Sequence, residues 1–314
     1  MKFRKPQFWD LDKPNIISYM LSIFTLPILI NNFFLNFKKK DKYKNIKKIC
    51  IGNIYIGGTG KTPTTIKLYE IFRDLKFNVV TGKKIYTSQI DEITLLRKKT
   101  SLIAESSRSK IVQKAIDNKK DIIFFDDGLQ DRSLRYDLNL VCFDSKSWIG
   151  NGQIIPAGPL REKLSSLKKY DLVFLKDRNN DLEKIIYQLK KNNPQIKIFN
   201  TMYKPINIDK FNLTKKYLIF SGIGNPDNFK AILNFNNIQI IDEMIFPDHY
   251  SFKKNDIKNI KKRAKDLDAE IITTEKDYLR ISEEERKDLN FLEIKLIIEN
   301  ENELINFIKS KIDV

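Results

Sequence analysis

The amino-acid sequence predicts an α/β protein, with a domain around a mainly parallel sheet, a smaller C-terminal α/β domain and an N-terminal helical segment. From Ile46 onward, short β-like runs alternate with stretches of helical periodicity, which is typical of α/β units around a parallel sheet. Around residues 203–214 this alternation loosens and then resumes. We therefore expect a boundary near residue 205, with a larger domain over 46–205 and a smaller one over 206–314.

The apolar runs predict the strands, and the periodic stretches between them predict the helices. In the larger domain we expect strands at 48–54, 78–81, 122–125, 138–143 and 172–175. In the smaller domain we expect strands at 217–221, 239–244, 270–273 and 293–298, with helices at 227–233, 254–267 and the C terminus. A cleft between two such domains is a usual place for a ligand.

The N-terminal segment, residues 1–45, is predicted to contact a membrane. No charged residue occurs between Pro14 and Phe37, and at about 1.5 Å per residue a helix of this length would cross a hydrocarbon layer of about 30 Å. Serine, threonine and asparagine dilute the stretch, and Pro27 would kink a helix. An interfacial or half-inserted helix pair therefore competes with a full span, and a helix packed on the protein's own core is the third alternative.

The charge distribution favours anionic partners on the cytoplasmic side. The chain has 57 Lys and Arg residues against 40 Asp and Glu residues, a balance that suits nucleic acid, acidic lipid or phosphorylated substrates without choosing among them. A genome-wide preference for lysine would explain part of this excess. The basic run at 38–44 would hold the following domain at the cytoplasmic face, and no small-residue cleavage site follows Ile30.

Both cysteines are predicted to be core residues in a reducing compartment. Cys50 and Cys142 each lie inside an apolar run that reads as a strand. Neither has a second cysteine or a histidine at a spacing that suits a metal site. A small buried hydrophobic side chain is the expected role of each.

A glycine-rich loop follows the first predicted strand and precedes a predicted helix with Pro63 near its first turn. Such a loop points backbone N–H groups at phosphates, with a lysine on the β- and γ-oxygens and a hydroxyl for Mg²⁺. The loop is a variant, because Tyr55 replaces the usual first glycine and Ile56 excludes the signature lysine of partition-type ATPases. We predict a P-loop NTPase-like domain that binds ATP through Tyr55, Ile56, Gly57, Gly58, Thr59, Gly60, Lys61 and Thr62.

Three further places carry candidate chemistry. Asp126 and Asp127 follow an apolar strand, where one would hold Mg²⁺; a turn is the alternative. The turn-rich loop 151–162 ends in a cation and a carboxylate, which favours ligand binding over a plain surface loop. His249, the single histidine, suits a general base, although a lone histidine is more often structural.

In their order along the chain, these motifs resemble the tetraacyldisaccharide 4′-kinase family, which acts in lipid A biosynthesis in Gram-negative bacteria. The resemblance runs from the N-terminal segment to about residue 280. The motifs that carry it are the variant P-loop, Asp91-Glu92, Asp-Asp-Gly-Leu-Gln at 126–130, Pro-Ala-Gly-Pro-Leu-Arg-Glu at 156–162, Gly-Ile-Gly-Asn-Pro at 222–226, Phe-Pro-Asp-His-Tyr at 246–250 and Thr-Glu-Lys-Asp at 274–277.

The resemblance implies an enzyme that uses ATP and Mg²⁺ to phosphorylate the 4′-hydroxyl of tetraacyldisaccharide 1-phosphate, giving lipid IVA. The implied partners are this lipid-linked disaccharide and the lipid surface of the inner membrane. We expect no nucleic acid and infer no obligate protein partner. The implied location is the cytoplasmic face of the bacterial inner membrane, with the chain peripheral or anchored by its N-terminal segment.

The resemblance also implies roles for individual residues. Asp91 resembles the family's catalytic base, and His249 the histidine that pairs with it across the domain cleft. Metal binding falls to Thr62, Asp127 and Glu162. Contacts to phosphate or substrate fall to Arg108, Asp126, Gln130 and Arg161.

The chain departs from the family pattern in two places. Where the family usually has Asp-Asp-Gly-Phe-Gln-His, this chain has Leu129 and then Asp131, so the role of the second histidine does not carry over. The family's Ser-Arg-Gly-Tyr-Gly segment is replaced by Thr-Gly-Lys-Lys-Ile-Tyr at 81–86, with a short connection to Asp91. Both departures bear on substrate handling.

Two alternatives remain at this point. A membrane-bound P-loop ATPase or switch without a small-molecule acceptor would account for the loop, the charge and the apolar segment. It gives no task to His249 or to the Arg161-Glu162 end of its loop. The hypothesis of a nucleic-acid-binding ATPase rests on charge alone, since the sequence contains no recognisable nucleic-acid-binding motif.

Overall fold

A computed structural model describes residues 5–27, 30, 43, 45–86, 89–131, 133–177 and 182–313. Of the predicted membrane segment, the part beyond Pro27 lies outside these residues except for Ile30, and the basic run at 38–44 is described only at Tyr43. None of the helices in the described ranges combines the length and the apolar character that a membrane crossing needs.

Strands and helices alternate along most of the chain. The strands are β1 (Lys47–Gly52), β2 (Val79–Lys84), β3 (Leu102–Glu105), β4 (Ile122–Asp126), β5 (Leu138–Asp144), β6 (Leu172–Lys176), β7 (Lys197–Pro205), β8 (Lys216–Ser221), β9 (Gln239–Ile245), β10 (Glu270–Thr274), β11 (Asn290–Leu292) and β12 (Ile294–Ile298). The α-helices are α1 (Ile16–Ser22), α2 (Lys61–Asp74), α3 (Ile90–Lys99), α4 (Arg108–Asp117), α5 (Leu182–Asn192), α6 (Pro226–Phe235), α7 (Lys254–Asp266), α8 (Glu275–Arg280) and α9 (Glu301–Ile312). The predicted α/β architecture with a mainly parallel sheet is confirmed.

The larger of two compact units comprises Lys5–Ile85, Lys99–Met202 and the C-terminal residues from Leu296. Its eight-stranded sheet has the order β12-β7-β6-β5-β1-β4-β2-β3. Strand β1 pairs in parallel with β4 on one side and with β5 on the other. The order in which successive strands are added to the sheet thus reverses at β1. In such sheets, ligands bind beyond the carboxyl ends of the strands at this point.

Helix α2 begins directly after the glycine-rich loop and packs on this sheet. Leu68 and Phe72 are fully buried, and the Phe72 ring lies 5.5 Å from that of Phe124 on β4. Truncating a buried aromatic side chain costs about 3–5 kcal/mol. The Phe72–Phe124 contact therefore holds the C-terminal part of α2 against the middle of β4.

The smaller unit comprises Tyr86–Lys98 and Tyr203–Lys295. Its four-stranded sheet has the order β11-β10-β8-β9, and all three pairs in it are parallel. Alternate residues of β8 face opposite sides: Tyr217 and Ile219 pack towards α6, whereas Leu218 and Phe220 pack towards α7. Two small cores, one on each face, hold this unit together.

Three strands were missed. The prediction omitted β3, a short strand at the sheet edge, β7, in which polar and apolar residues mix, and the three-residue β11. The predicted strand 293–298 corresponds to β12, which belongs to the larger sheet, and Glu293 separates it from β11 of the smaller sheet. The chain passes between the units near residue 203, close to the expected boundary at 205, and Tyr86–Lys98 has its contacts in the smaller unit.

Candidate active site

The loop between β1 and α2 presents the N-terminus of a 14-residue helix. Gly60 caps this helix at φ 92°, and Gly57 has φ 124°, conformations that glycine adopts without steric cost. The Asn53 side chain donates to the Gly57 carbonyl at 3.2 Å, and this hydrogen bond stabilises the conformation of the loop. The exposed amides and the helix dipole make this end of α2 an anion site.

Two buried polar atoms mark the interior of this loop. Thr59 Oγ1 and Asn53 Oδ1 have no hydrogen-bond partner within the described part of the chain. Thr59 is 3% exposed, and leaving such a group unbonded costs about 1–3 kcal/mol. The loop is therefore suited to a polar ligand that completes these bonds.

Asp126, the last residue of β4, accepts hydrogen bonds from three side chains. Thr62 Oγ1 lies 3.1 Å and Lys83 Nζ 2.8 Å from its Oδ2, and Thr65 Oγ1 lies 3.3 Å from its Oδ1. Asp126 and Lys83 are each 1% exposed, so this ion pair is fully buried. The Asp126 carboxylate, predicted at the end of its strand, thus connects helix α2 to the C-terminal end of strand β2.

Asp127 carries its side chain towards two cations. Its backbone is left-handed at φ 56°, a conformation that aspartate tolerates better than most residues. Its Oδ1 accepts from Arg161 Nη1 at 3.2 Å and lies 3.9 Å from Lys61 Nζ. The reversal at Asp127 therefore turns the two adjacent carboxylates in different directions.

Arg108 lies beneath this reversal and is 2% exposed. Its Nη2 donates to the Asp127 carbonyl at 2.6 Å, and its Nη1 forms an ion pair with Asp131. Burial alone would raise the pKa of Asp131, but hydrogen bonds from Ser133 and the Arg108 charge lower it. The residue that replaces the family's histidine is thus the counter-ion of a buried arginine.

Gln130, Arg161 and Glu162 form one hydrogen-bonded group. Arg161 Nη1 donates to Gln130 Oε1 at 3.0 Å, and Gln130 Nε2 donates to the Asn53 carbonyl at 2.9 Å. Glu162 is 5% exposed, and its Oε1 accepts from Gln130 Nε2 at 3.5 Å and from the Tyr170 hydroxyl at 3.2 Å. We call Lys61, Thr62, Asp126, Asp127, Gln130, Arg161 and Glu162 the nucleotide cluster.

The donor set of the nucleotide cluster is suited to Mg²⁺. One hydroxyl and three carboxylates supply hard oxygen ligands. Among the residues that the structure describes, no group of three or more His, Cys, Asp or Glu side chains is arranged to hold a metal ion by itself. Mg²⁺ usually binds through one or two carboxylates together with phosphate and water, so the cluster fits an ion that arrives with a nucleotide.

Both thiols lie in the core beneath this region, as predicted. Cys50 and Cys142 are unpaired with each other and buried. Cys142 Sγ lies 3.7 Å from Thr64 Oγ1 in α2, and a methyl group added at Gly128 would come within 2.6 Å of Cys50 Sγ. Burial raises the pKa of Cys142 to about 12, and it also raises the pKa of Cys50.

Asp91 and His249 are hydrogen-bonded within the smaller unit. His249 Nδ1 lies 3.0 Å from Asp91 Oδ1. The Asp91 side chain is 4% exposed and that of His249 is 27% exposed. The sequence placed Asp91 in the larger domain and the pair across the domain cleft, whereas helix α3, which carries Asp91, has its contacts in the unit of His249.

Two cations share the Asp91 carboxylate. Arg280 Nη2 donates to Oδ2 at 2.6 Å, and Lys276 Nζ lies 3.5 Å from the same oxygen. Burial alone would raise the pKa of Asp91, but the His249 hydrogen bond and the two cations hold it well below its usual value. We call Asp91, His249, Lys276 and Arg280 the dyad cluster; its carboxylate is ionised throughout the neutral range.

Asp277 and Gly222 support the dyad cluster from beneath. The fully buried Asp277 accepts from Arg280 Nη1 at 2.6 Å and from the Gly222 N–H at 3.0 Å. The Gly222 carbonyl in turn accepts from the His249 N–H at 3.1 Å. His249 is left-handed at φ 56°, so a backbone with limited freedom sets the direction of its ring.

The structure thus gathers the predicted site residues into two groups, one in each unit. Arg108 is the exception, because its guanidinium lies beneath Asp127 and 2% exposed. Sequence reasoning missed Lys83 and Arg280. Lys276 and Asp277 belong to the Thr-Glu-Lys-Asp motif, but the sequence alone assigned them no role. The signal for these two residues is an adjacent cation and carboxylate in a motif of the same family as the candidate catalytic pair.

Comparison with known proteins identifies the family. Residues 22–313 match the LpxK family model, described as tetraacyldisaccharide-1-P 4′-kinase. The chain belongs to the LpxK family. A tetraacyldisaccharide 4′-kinase of Pelagibacter ubique is 42% identical over 308 residues, covering 98% of this chain and 97% of the relative. One of Rickettsia peacockii is 35% identical over 307 residues, covering 90% and 91%.

A solved LpxK structure has the same fold. The LpxK of Aquifex aeolicus, crystallised in complex with ATP, superposes with a TM-score of 0.70 at 22% identity, covering 95% of this chain and 100% of the other. LpxK membership confirms the predicted family, enzyme class and function, a tetraacyldisaccharide 4′-kinase that uses ATP and Mg²⁺. The lipid disaccharide as acceptor follows from this family. The role of each site residue and the membrane contact stay predictions.

Proposed function

We propose that this chain transfers the γ-phosphoryl group of ATP to the 4′-hydroxyl of tetraacyldisaccharide 1-phosphate, with the nucleotide cluster holding the phosphates and the dyad cluster receiving the hydroxyl proton. The observation that carries the proposal is the 3.0 Å contact between His249 Nδ1 and Asp91 Oδ1. An enzyme that only hydrolyses ATP has no sugar hydroxyl to deprotonate. A pair of a buried carboxylate and a half-buried imidazole suits that task.

The nucleotide cluster has the parts that phosphoryl transfer needs. The amides at the start of α2 bind phosphate oxygens, and Lys61 and Arg161 stabilise the negative charge that spreads over the transferring group. Thr62 with Asp126, Asp127 and Glu162 would hold Mg²⁺. The ion supplies further charge neutralisation on the phosphate oxygens.

Proton removal is assigned to the Asp91–His249 pair acting together. Arg280 and Lys276 keep the carboxylate ionised, and the carboxylate in turn orients the imidazole through Nδ1. The pair accepts the proton of the 4′-hydroxyl as that oxygen attacks the phosphorus. Arg280 acts through Asp91 and is a positioning residue.

The N-terminal segment is proposed to bind the cytoplasmic face of the inner membrane. Ile16, Met20 and Ile23 are 76%, 68% and 75% exposed, and Tyr19 and Phe24 are 63% and 64% exposed. Exposed apolar side chains on a short helix are typical of a segment that lies in the headgroup region. Such a position would bring the chain to the acyl chains that anchor its substrate in the bilayer.

An assay with labelled ATP tests the proposal. The protein is incubated with [γ-³²P]ATP, Mg²⁺ and tetraacyldisaccharide 1-phosphate in detergent, and lipid and free phosphate are separated by chromatography. We expect label in the lipid, and none with Lys61→Ala. Label in free phosphate alone would show an ATPase or switch and overturn the proposal.

A further inference from the structure

The loop 151–162, which carries Arg161 and Glu162, starts at a buried asparagine. Asn151 is 3% exposed. Its Nδ2 lies within hydrogen-bond distance of the Ser18 hydroxyl at 2.9 Å, the Ala157 carbonyl at 3.0 Å and the Phe8 carbonyl at 3.3 Å. Its Oδ1 accepts from the Gln153 N–H at 3.1 Å. One side chain thus connects the loop to two places in the N-terminal segment.

The N-terminal side of this connection is itself fixed. Ser18 is the fully buried residue of α1, and its hydroxyl also lies 3.2 Å from Oδ1 of the helix cap Asn15. Trp9, 1% exposed, donates from Nε1 to the Pro156 carbonyl at 3.1 Å, and its own carbonyl accepts from the Asn151 N–H at 3.0 Å. Hydrogen bonds from both the backbone and the side chain of Trp9 therefore connect the segment before α1 to the loop.

The far end of the loop is bonded to the strand end that precedes the glycine-rich loop. The Arg161 N–H donates to the Ile54 carbonyl at 2.7 Å, and the Ile56 N–H donates to the Pro159 carbonyl at 2.9 Å. Between these ends, the loop closes on itself through Ile154 and Leu160. Hydrogen bonds thus run from α1 through Asn151 to the backbone that presents Arg161 to Asp127.

We propose that Asn151 is a positioning residue that makes helix α1 and the Arg161–Glu162 end of the loop move as one body. The inference rests on the proposed function, in which α1 lies on the lipid surface and Arg161 acts at the phosphates. Docking of the exposed side of α1 then orients the catalytic loop through the buried Ser18 on its opposite side. A displacement of about 1 Å at a reacting group lowers a rate by as much as about 100-fold.

The test measures lipid binding and turnover in the same variants of the full-length chain. Vesicles of phosphatidylethanolamine and phosphatidylglycerol carry tetraacyldisaccharide 1-phosphate; binding is measured by sedimentation and turnover with labelled ATP. The variants are Asn151→Ala, Ser18→Ala and the matched control Ser22→Ala, whose hydroxyl donates to the Tyr19 carbonyl within the same helix. Thermal melting checks that each variant is folded.

Asn151→Ala is expected to bind vesicles like the wild type, with kcat lowered about 10-fold to 100-fold and the KM for ATP within about twofold. Ser18→Ala, which removes one of the Asn151 contacts, should lower kcat about threefold. The control Ser22→Ala should match the wild type. The separation of kcat from vesicle binding supports the inference, because a purely structural defect would lower both.

Two results would overturn it. If Ser18→Ala and Asn151→Ala keep a kcat within about twofold of the control, the contact does not position the loop. If both lose vesicle binding in proportion to turnover, the contact serves lipid binding alone. Ser18→Ala decides if Asn151→Ala does not fold. A wild type that binds vesicles but labels no lipid would show that the proposed function itself fails, and the inference with it.

Discussion

Arg280 donates to Asp91 through one terminal nitrogen and to Asp277 through the other, each at 2.6 Å. The guanidinium is therefore a fixed bridge between the candidate catalytic carboxylate and a fully buried carboxylate beneath it. Because a planar guanidinium makes such paired contacts and an ammonium does not, lysine is not an equivalent residue here.

Arg280→Lys is expected to lower kcat about 10-fold to 100-fold while leaving the KM for ATP within about twofold, because the carboxylate loses its fixed orientation and the nucleotide cluster is untouched. Steady-state kinetics with varied ATP measures both constants. Arg263→Lys, at an arginine paired with Asp242 on the surface of the same unit, is the control. A larger change in KM for ATP than in kcat would contradict the positioning role.

His249→Ala is expected to lower turnover about 100-fold or more with little change in ATP affinity, because the imidazole belongs to the dyad cluster. Lys61→Ala should damage both, since its ammonium lies at the start of α2, 3.9 Å from Asp127. Nucleotide titration and turnover are measured for each variant. Equal losses of ATP affinity in the two variants would argue against the assignment of His249 to proton transfer.

Lys83→Met is expected to lower the free energy of unfolding by about 3–5 kcal/mol, because it leaves Asp126 buried without its cation. Urea denaturation measures the change. Lys197→Met removes an exposed pair, 3.1 Å from Glu303, and should cost less than about 1 kcal/mol. Similar losses in the two variants would show that Asp126 does not depend on Lys83.

The Arg108–Asp131 pair predicts a specific acid sensitivity. The pKa of Asp131 is lower in the folded protein than its usual value, so its contribution to stability is complete above about pH 4 and is lost as the pH falls through the folded-state pKa. Asp131→Asn should therefore show a shallower fall in unfolding free energy between about pH 5 and about pH 3. Urea denaturation at stepped pH checks this, and parallel curves for both proteins would refute it.

The parts of the site that were predictable depend on residues close together in the chain. Gly57, Gly60 and Pro63 encode a turn and a helix start within a few residues, and Asp126 follows its own apolar strand. These rules act locally, so the glycine-rich loop and the strand-end carboxylates could be predicted without knowledge of the fold.

Other parts depend on contacts that no local pattern carries. Lys83 meets Asp126 across 43 residues and Arg280 meets Asp91 across 189 residues, and both cations look like ordinary charged residues in the sequence. The same limit applies to Asp131, which could be recognised as a departure from the family but not as the partner of Arg108. Strand β3 was missed because it is an edge strand of four residues with no fully buried position.

The two buried thiols can serve as chemical probes of local opening in the region beneath the nucleotide cluster. Cys142 touches helix α2 at Thr64, and Cys50 lies under Gly128. A thiol reagent reacts with the thiolate, which burial suppresses at both positions. Each cysteine therefore reacts only when the core opens locally. The labelling rate of the native chain then reports how often the sheet beneath the phosphates opens. A comparison of this rate with and without nucleotide reports how strongly ATP holds the sheet closed.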